Sequence, residues 1–320
     1  MGTAGECDAA RITVLDENFV DILLTDSPGT THFGMDQQFD VNYGEILAEN
    51  GICFLVETLH AGRWSRTLFD AGLTSTAVLH NAAVMGVDLQ TLDHIVISHG
   101  HPDHFGGLEG ILAHREREST VVIHPDAFDP RYIVKPHKVL PFFNRGLSRA
   151  GIERNGGRLV EAREPLPLAP GVFSSGSIPR SAVFEQEPPK GRLCIHDGAV
   201  REDEIDDHQI MVVAVKDVGA IVMDPCGHAG VISSVHYGLE LSGATRLAAV
   251  LGGFHTGHPH VSKARVDRTA NELLGLGPTM IAPMHCSGFP MKAAVYQRDP
   301  KVFTQATAGT VLEFGAVPQK

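Results

Sequence analysis

Three histidines and an aspartate crowd into six residues of Ser98-His99-Gly100-His101-Pro102-Asp103-His104. Neutral imidazole and carboxylate oxygen are ligands of a borderline divalent ion such as zinc. His99 and His101, on alternate positions, can reach one ion, while Asp103 and His104 turn towards a second. A histidine-rich surface turn is the plain alternative, but with 18 histidines in 320 residues so tight a cluster seldom arises by composition. The chemistry expected is therefore that of a metal centre.

The elements around the cluster decide where it can sit. Ile95-Val96-Ile97 reads as a buried strand, and Gly100 and Pro102 bar a helix through the histidines. They then lie on a loop at a strand end, followed by a helix over residues 105–114 whose glycines, Gly106 and Gly107, allow close approach to the strand. Further strand ends repeat the pattern. Asp206-Asp207-His208 precedes a strand over 210–215, and Asp224-Pro225-Cys226-Gly227-His228 links a strand over 220–223 to a helix over 229–241. Gly252-Gly253-Phe254-His255 ends a strand over 247–251, ahead of a helix over about 261–274. Pro283-Met284-His285-Cys286 ends a strand over 280–282. A single such histidine is ordinarily a core or turn residue; four in succession, downstream of the first cluster, point to one shared site.

The remaining chain supplies a frame. A first strand over 12–15 continues over 19–24, a polar loop covers 28–40, and strands over 52–57 and 66–69 pair through a turn at 60–63. A helix over 75–85, a strand over 120–123, short strands at 159–160 and 172–173, and two last strands within 302–314 complete it. Residues 126–155, with three prolines and the basic Arg131, Lys135, Lys138 and Arg145, read as a capping insertion able to touch substrate. Ile178-Pro179-Arg180 is a rigid turn whose cation suits a carboxylate or phosphate, a surface ion pair being the alternative. Two halves of strands with helices outside predict an α/β protein, a four-layer αβ/βα sandwich in one domain over 1–320, its ligand crevice at the strand ends.

The motifs SHGHPDHFGGL, IPRS, DDHQIMVV, DPCGHAGVI, LGGFHT and PMHCSG resemble the metallo-β-lactamase superfamily. Within it they are most similar to the dihydropteroate-synthase-like branch, named for 7,8-dihydropterin-6-methyl-4-(ribofuranosyl)aminobenzene 5′-phosphate synthase; the likeness runs over residues 12–314. It implies the metallo-β-lactamase fold and a first metal site of His99, His101 and His208. The second would hold Asp103, His104 and either His255 or His285. Asp70, at the end of Leu68-Phe69-Asp70, would support the histidine loop from behind. Cys226 falls near the superfamily's bridging aspartate, where a thiolate can bridge or bind one zinc. By the same resemblance the oxygen-reducing di-iron members carry glutamate at the place of His101, which favours one or two zinc ions over iron, with manganese less favoured. In such a site Asp103 orients or deprotonates a metal-activated water, and His228, His255 or His285 protonates the leaving group.

Composition limits the substrates. The net charge is −12 and no basic run tracks a phosphate backbone, so nucleic acid is not expected. Five cysteines without a CxxC pair suit a reducing compartment. Neither a secretory leader nor a membrane span is apparent, so the expected location is cytoplasmic. The expected partner is a small molecule, with a homodimer allowed. The function expected is zinc-dependent hydrolysis of an ester, lactone, phosphodiester or activated aryl carbon. Two alternatives stand beside it: condensation of a pterin with an arylamine, and a non-catalytic metal-dependent binding or sensing role.

Overall fold

The strand Ala9–Asp16 is buried along its whole length, so both of its faces meet protein. That is the condition of a strand lying between two packed layers. In the computed structural model, which describes residues 5–40, 44–142, 146–186 and 191–318, it belongs to an eight-stranded sheet. The order across that sheet is Thr30–Thr31, Val311–Gly315, Ala9–Asp16, Cys53–His60, Arg63–Phe69, His94–Ile97, Ser119–Ile123 and Gly157–Glu161. A six-stranded sheet runs Leu166–Ala169, Val172–Ser174, Met211–Val215, Gly219–Asp224, Leu247–Gly253 and Met280–Met284.

Period-two alternation divides each strand between two cores. Ile12, Val14, Phe54, Phe69 and Val96 of the first sheet meet Met211, Val213, Ile221, Met223 and Leu251 of the second. The opposite face of the first sheet, with Leu55, Leu68, Ile95 and Ile97, packs on Val78 and Ala82 of helix Ser75–Val84 and Ile111 of helix Leu108–His114. The outer face of the second, with Val212, Val222, Val250 and Ile281, packs on helices Val231–Ser242, Lys263–Gly275 and Gly288–Arg298. Helix, sheet, sheet, helix is the four-layer arrangement the sequence implied.

Arg63–Phe69, His94–Ile97 and Ser119–Ile123 pair in parallel, as do Gly219–Asp224, Leu247–Gly253 and Met280–Met284. Parallel strands linked by helical crossovers end on one edge, which gathers the loops bearing histidine and cysteine.

Several expectations need correction. Residues 19–24 form no strand: the Asp21 carboxylate accepts from Leu23 N at 3.0 Å to make a turn, leaving Phe19 and Leu23 exposed. Of the two last strands only Val311–Gly315 is present; Phe303 makes an isolated bridge to Ile281. The loop at 28–40 contains the strand Thr30–Thr31 and the helix Met35–Phe39. Within 126–155, Arg131–Lys135 and Lys138–Pro141 form a hairpin that joins Arg192–His196 and Ala199–Glu202 in a third sheet. The helix Arg149–Arg154 instead packs on the first sheet through Ile152. Arg145 lies outside the described residues. No described helix is long and apolar enough to cross a membrane.

Candidate metal centre

Gly100 opens the histidine loop because a Cβ there would strike the Ala127 carbonyl and the Arg131 guanidinium. Pro102 then starts a short helix, Pro102–Phe105, a position where its missing N–H costs nothing. This turn carries Asp103 and His104 inward. Gly107 follows, with the Ala71 carbonyl where a side chain would begin.

Asp70 stands behind the loop at φ 59°. Its carboxylate accepts from Ser98 N at 2.7 Å and Ser98 Oγ at 2.8 Å, and pairs with His104 Nδ1 at 2.7 Å. Ser98 Oγ also lies 2.9 Å from His99 Nδ1. With both Nδ1 atoms engaged, the Nε2 atoms of His99 and His104 are left for the centre.

Four imidazoles face one another here. Ring centroids of His99, His101, His208 and His228 lie 4.5–5.5 Å apart in successive pairs. His228, expected outside the ligands as a proton donor, brings Nε2 to 3.2 Å from His99 Nε2, and its ligand atom groups with those of His99 and His101 within 4.8 Å. His208 donates through Nε2 to Asp224 Oδ1 at 2.8 Å. A second group joins Asp103, His104 and His285. His285 is braced by Asn18 Oδ1, 2.9 Å from Nδ1, and turns Nε2 towards Asp103 Oδ2 at 3.4 Å. Of the expected alternatives, His285 joins the Asp103 group, while His255 groups with Cys226 and His228 and lines the cavity with its ring 4.4 Å from His228, so both reach ligand distance. Both have positive φ, 44° and 52°. Cys226 Sγ lies within 4.8 Å of ligand atoms from both trios, so it stands between them.

Burial, and then repulsion among neighbouring imidazoles, pushes the pKa of His99 well down. His228 is lowered in the same way. Both are therefore held neutral, the form that binds metal. Burial alone would raise Asp103, but His104 and His285 hold its carboxyl well below the usual range. His104 is opposed by burial yet lifted to about 9 by Asp70 and Asp103. Without an ion, this position attracts a proton's charge. Cys286 Sγ lies 3.4 Å from Cys226 Sγ; burial opposes its ionisation, but Cys226 and His255 make it the more acidic thiol of the pair.

Asp103 Oδ1, His104 Nε2 and His208 Nδ1 are buried without a hydrogen-bond partner. Buried polar atoms are almost always paired. Orphaned oxygen and nitrogen beside a thiol therefore fit a borderline divalent ion.

The cavity above these residues has a volume of about 310 Å³. Its wall includes Asn50, Phe142, Arg192, His258 and Cys286, none of which was singled out from the sequence. His258 and Cys286 had a signal in their nearness to His255 and His285; Arg192 had none. Arg180, expected to face a substrate anion, is turned away. Its guanidinium donates to the His228 carbonyl at 2.8 Å and Gln186 Oε1 at 3.0 Å, and it also reaches the Glu204 carbonyl. It fixes the backbone that carries His228.

A family described as Anti-Pycsar protein Apyc1 matches residues 54–132. Over 269 residues the chain is 30% identical to the 7,8-dihydropterin-6-methyl-4-(β-D-ribofuranosyl)-aminobenzene-5′-phosphate synthase of Methanocaldococcus jannaschii, covering 83% of this chain and 90% of that protein. An uncharacterized protein of the same organism is 31% identical over 252 residues, 77% of this chain and 87% of the other. Among solved structures, a metal-dependent hydrolase of the β-lactamase superfamily is similar with a TM-score of 0.70 and 22% identity, over 96% of this chain and 100% of that one. A diphosphatase of the PhnP family gives a TM-score of 0.52 at 14% identity, over 96% and 97%.

Proposed function

Because the chain belongs to the metallo-β-lactamase superfamily, in the branch of the 7,8-dihydropterin-6-methyl-4-(β-D-ribofuranosyl)-aminobenzene-5′-phosphate synthase, we propose that it is a zinc-dependent hydrolase of a small cytoplasmic molecule. What supports this reading most is that the ligand atoms of Asp103, His104 and His285 lie within 4.8 Å of one another, with Asp103 Oδ1 and His104 Nε2 buried and unpaired, at a cavity lined by Asp103 and His285. His99, His101 and His228 would hold a first ion, with the His208 ring 5.4 Å from that of His99 and 5.5 Å from that of His228. Asp103, His104 and His285 would hold a second, and Cys226 Sγ lies between the two trios. An ion so held supplies a Lewis acid and a water of lowered pKa.

The chain's own residues do the rest. Asp103 orients the attacking water through its carboxylate. His255, half-buried on the cavity wall and grouped with Cys226 and His228, delivers the proton to the leaving group. Asp70, Ser98, Asp224 and Asn18 fix the tautomers of the ligand histidines. Phe142, 5.3 Å from the His101 ring, keeps bulk water from that side. The test is to strip metal with a chelator, reload zinc, and assay an aryl ester, a lactone and a phosphodiester. Turnover of at least one class, lost on stripping and restored by zinc, is expected; fully loaded protein inert towards all three would end the reading.

The synthase among the relatives favours a second reading, in which the site joins a pterin methylene to an arylamine. Appearance of the condensed product by mass spectrometry, with no hydrolysis of the three panel substrates, would put that reading first.

A further inference from the structure

Two arginines of the third sheet lie towards the metal loop, and their surroundings differ. Arg131 is buried and spent: it pairs with Asp203 at 3.0 Å and with Asp207, and reaches the Gly100 and Ala127 carbonyls. Arg192, one strand over and in register with Ile133, lines the cavity. Its guanidinium carbon lies 5.3 Å from the centroid of the Phe142 ring. Among the described residues no carboxylate pairs with it. It is also, among the described residues, the only lysine or arginine of the cavity wall, and Asp103 the sole carboxylate there. A half-buried cation with no carboxylate of its own thus faces this cavity in a chain of net charge −12.

We infer that Arg192 binds an anionic group of the substrate, a phosphate or a carboxylate carried away from the bond that is cleaved. A guanidinium offers paired donors to either oxyanion, and stacking on Phe142 orients it without consuming those donors. The inference rests on the reading of this cavity as the substrate site. It adds the substrate class: small molecules carrying a negative group, the other end being presented to Asp103 and His255.

The experiment is equilibrium binding by calorimetry on zinc-loaded protein, with phenyl phosphate and benzoate as probes, for the wild type, Arg192→Gln and Arg192→Lys. At least one probe should bind the wild type, and which binds more tightly tells phosphate from carboxylate. Arg192→Gln should weaken the preferred probe about tenfold or more, with zinc content unchanged, and Arg192→Lys should recover part of the loss. Neither anion binding the wild type, or Arg192→Gln binding within about twofold of it, would overturn the inference. Because binding needs no turnover, the two readings fail separately. Anion binding through Arg192 in a protein that hydrolyses nothing would sink the hydrolase and leave this assignment standing.

Discussion

Asp70 shows how one carboxylate sets the chemistry of its neighbours. It fixes His104 through Nδ1 and, through Ser98, touches His99 as well. Replacing it by asparagine, Asp70→Asn, should weaken zinc binding by roughly 10–100-fold in chelator competition. Equal affinity would mean that the loop holds its ligands unaided. His255 and His285 separate by the same kind of test. His285→Ala should lose metal and activity together, whereas His255→Ala should keep its zinc and lose rate by roughly 10²–10⁴. Loss of metal in both would make His255 a ligand too. Asp16 poses a different question, since both its oxygens are buried without partners. Burial, reinforced by Glu49, lifts its pKa from 3.8 to about 8. A folded-state value above the unfolded one means stability that is full below the unfolded pKa and lost as pH rises through about 8. Metal-free wild type should therefore fall in Tm relative to Asp16→Asn by a few degrees between pH 6 and 9. Parallel curves would show that Asp16 has a partner in solution.

The histidine loop is held from two sides, by the strand before it and by the third sheet above it. Arg131 makes the second connection: Asp207 accepts from Gly100 N at 2.7 Å, and Arg131 neutralises that aspartate together with Asp203. Arg131→Met leaves two buried carboxylates unpaired and should destabilise the fold by on the order of 3–5 kcal/mol. Denaturant midpoints for the two proteins measure it; an unchanged midpoint would mean the sheet is not tied to the loop. The ligand-bearing strands were legible in the sequence because parallel strands buried on both faces read as unbroken apolar runs. The hairpin at 192–202 was not. Ala199–Glu202 is exposed throughout, and its sheet joins segments some sixty positions apart, which no local pattern reports. Residues 19–24 failed for the opposite reason, an apolar run without a neighbouring strand to pair with.

Across the whole molecule, the metallo-β-lactamase sandwich and the convergence of strand ends were legible, while the division of labour among the histidines was not. Residue type and spacing marked His99, His101, Asp103 and His104 directly. The resemblance put His208 in the first site and His228 among the proton donors, whereas His228 is the one that groups with His99 and His101. The orientation of His208 is set by Asp224 on the adjoining strand and that of the His228 loop by Arg180 from a distant turn, which no local spacing reports. Of the six residues in the two proposed trios, four follow a strand of the first sheet and two follow strands of the second, so both sheets must pack to bring them together. That makes metal content a report on the entire assembly. The most direct test is elemental analysis of protein reloaded with zinc and dialysed against metal-free buffer. One to two zinc equivalents should be retained per chain, with His104→Ala retaining less. Wild type that keeps no metal, and takes up none on titration, would contradict the metal centre.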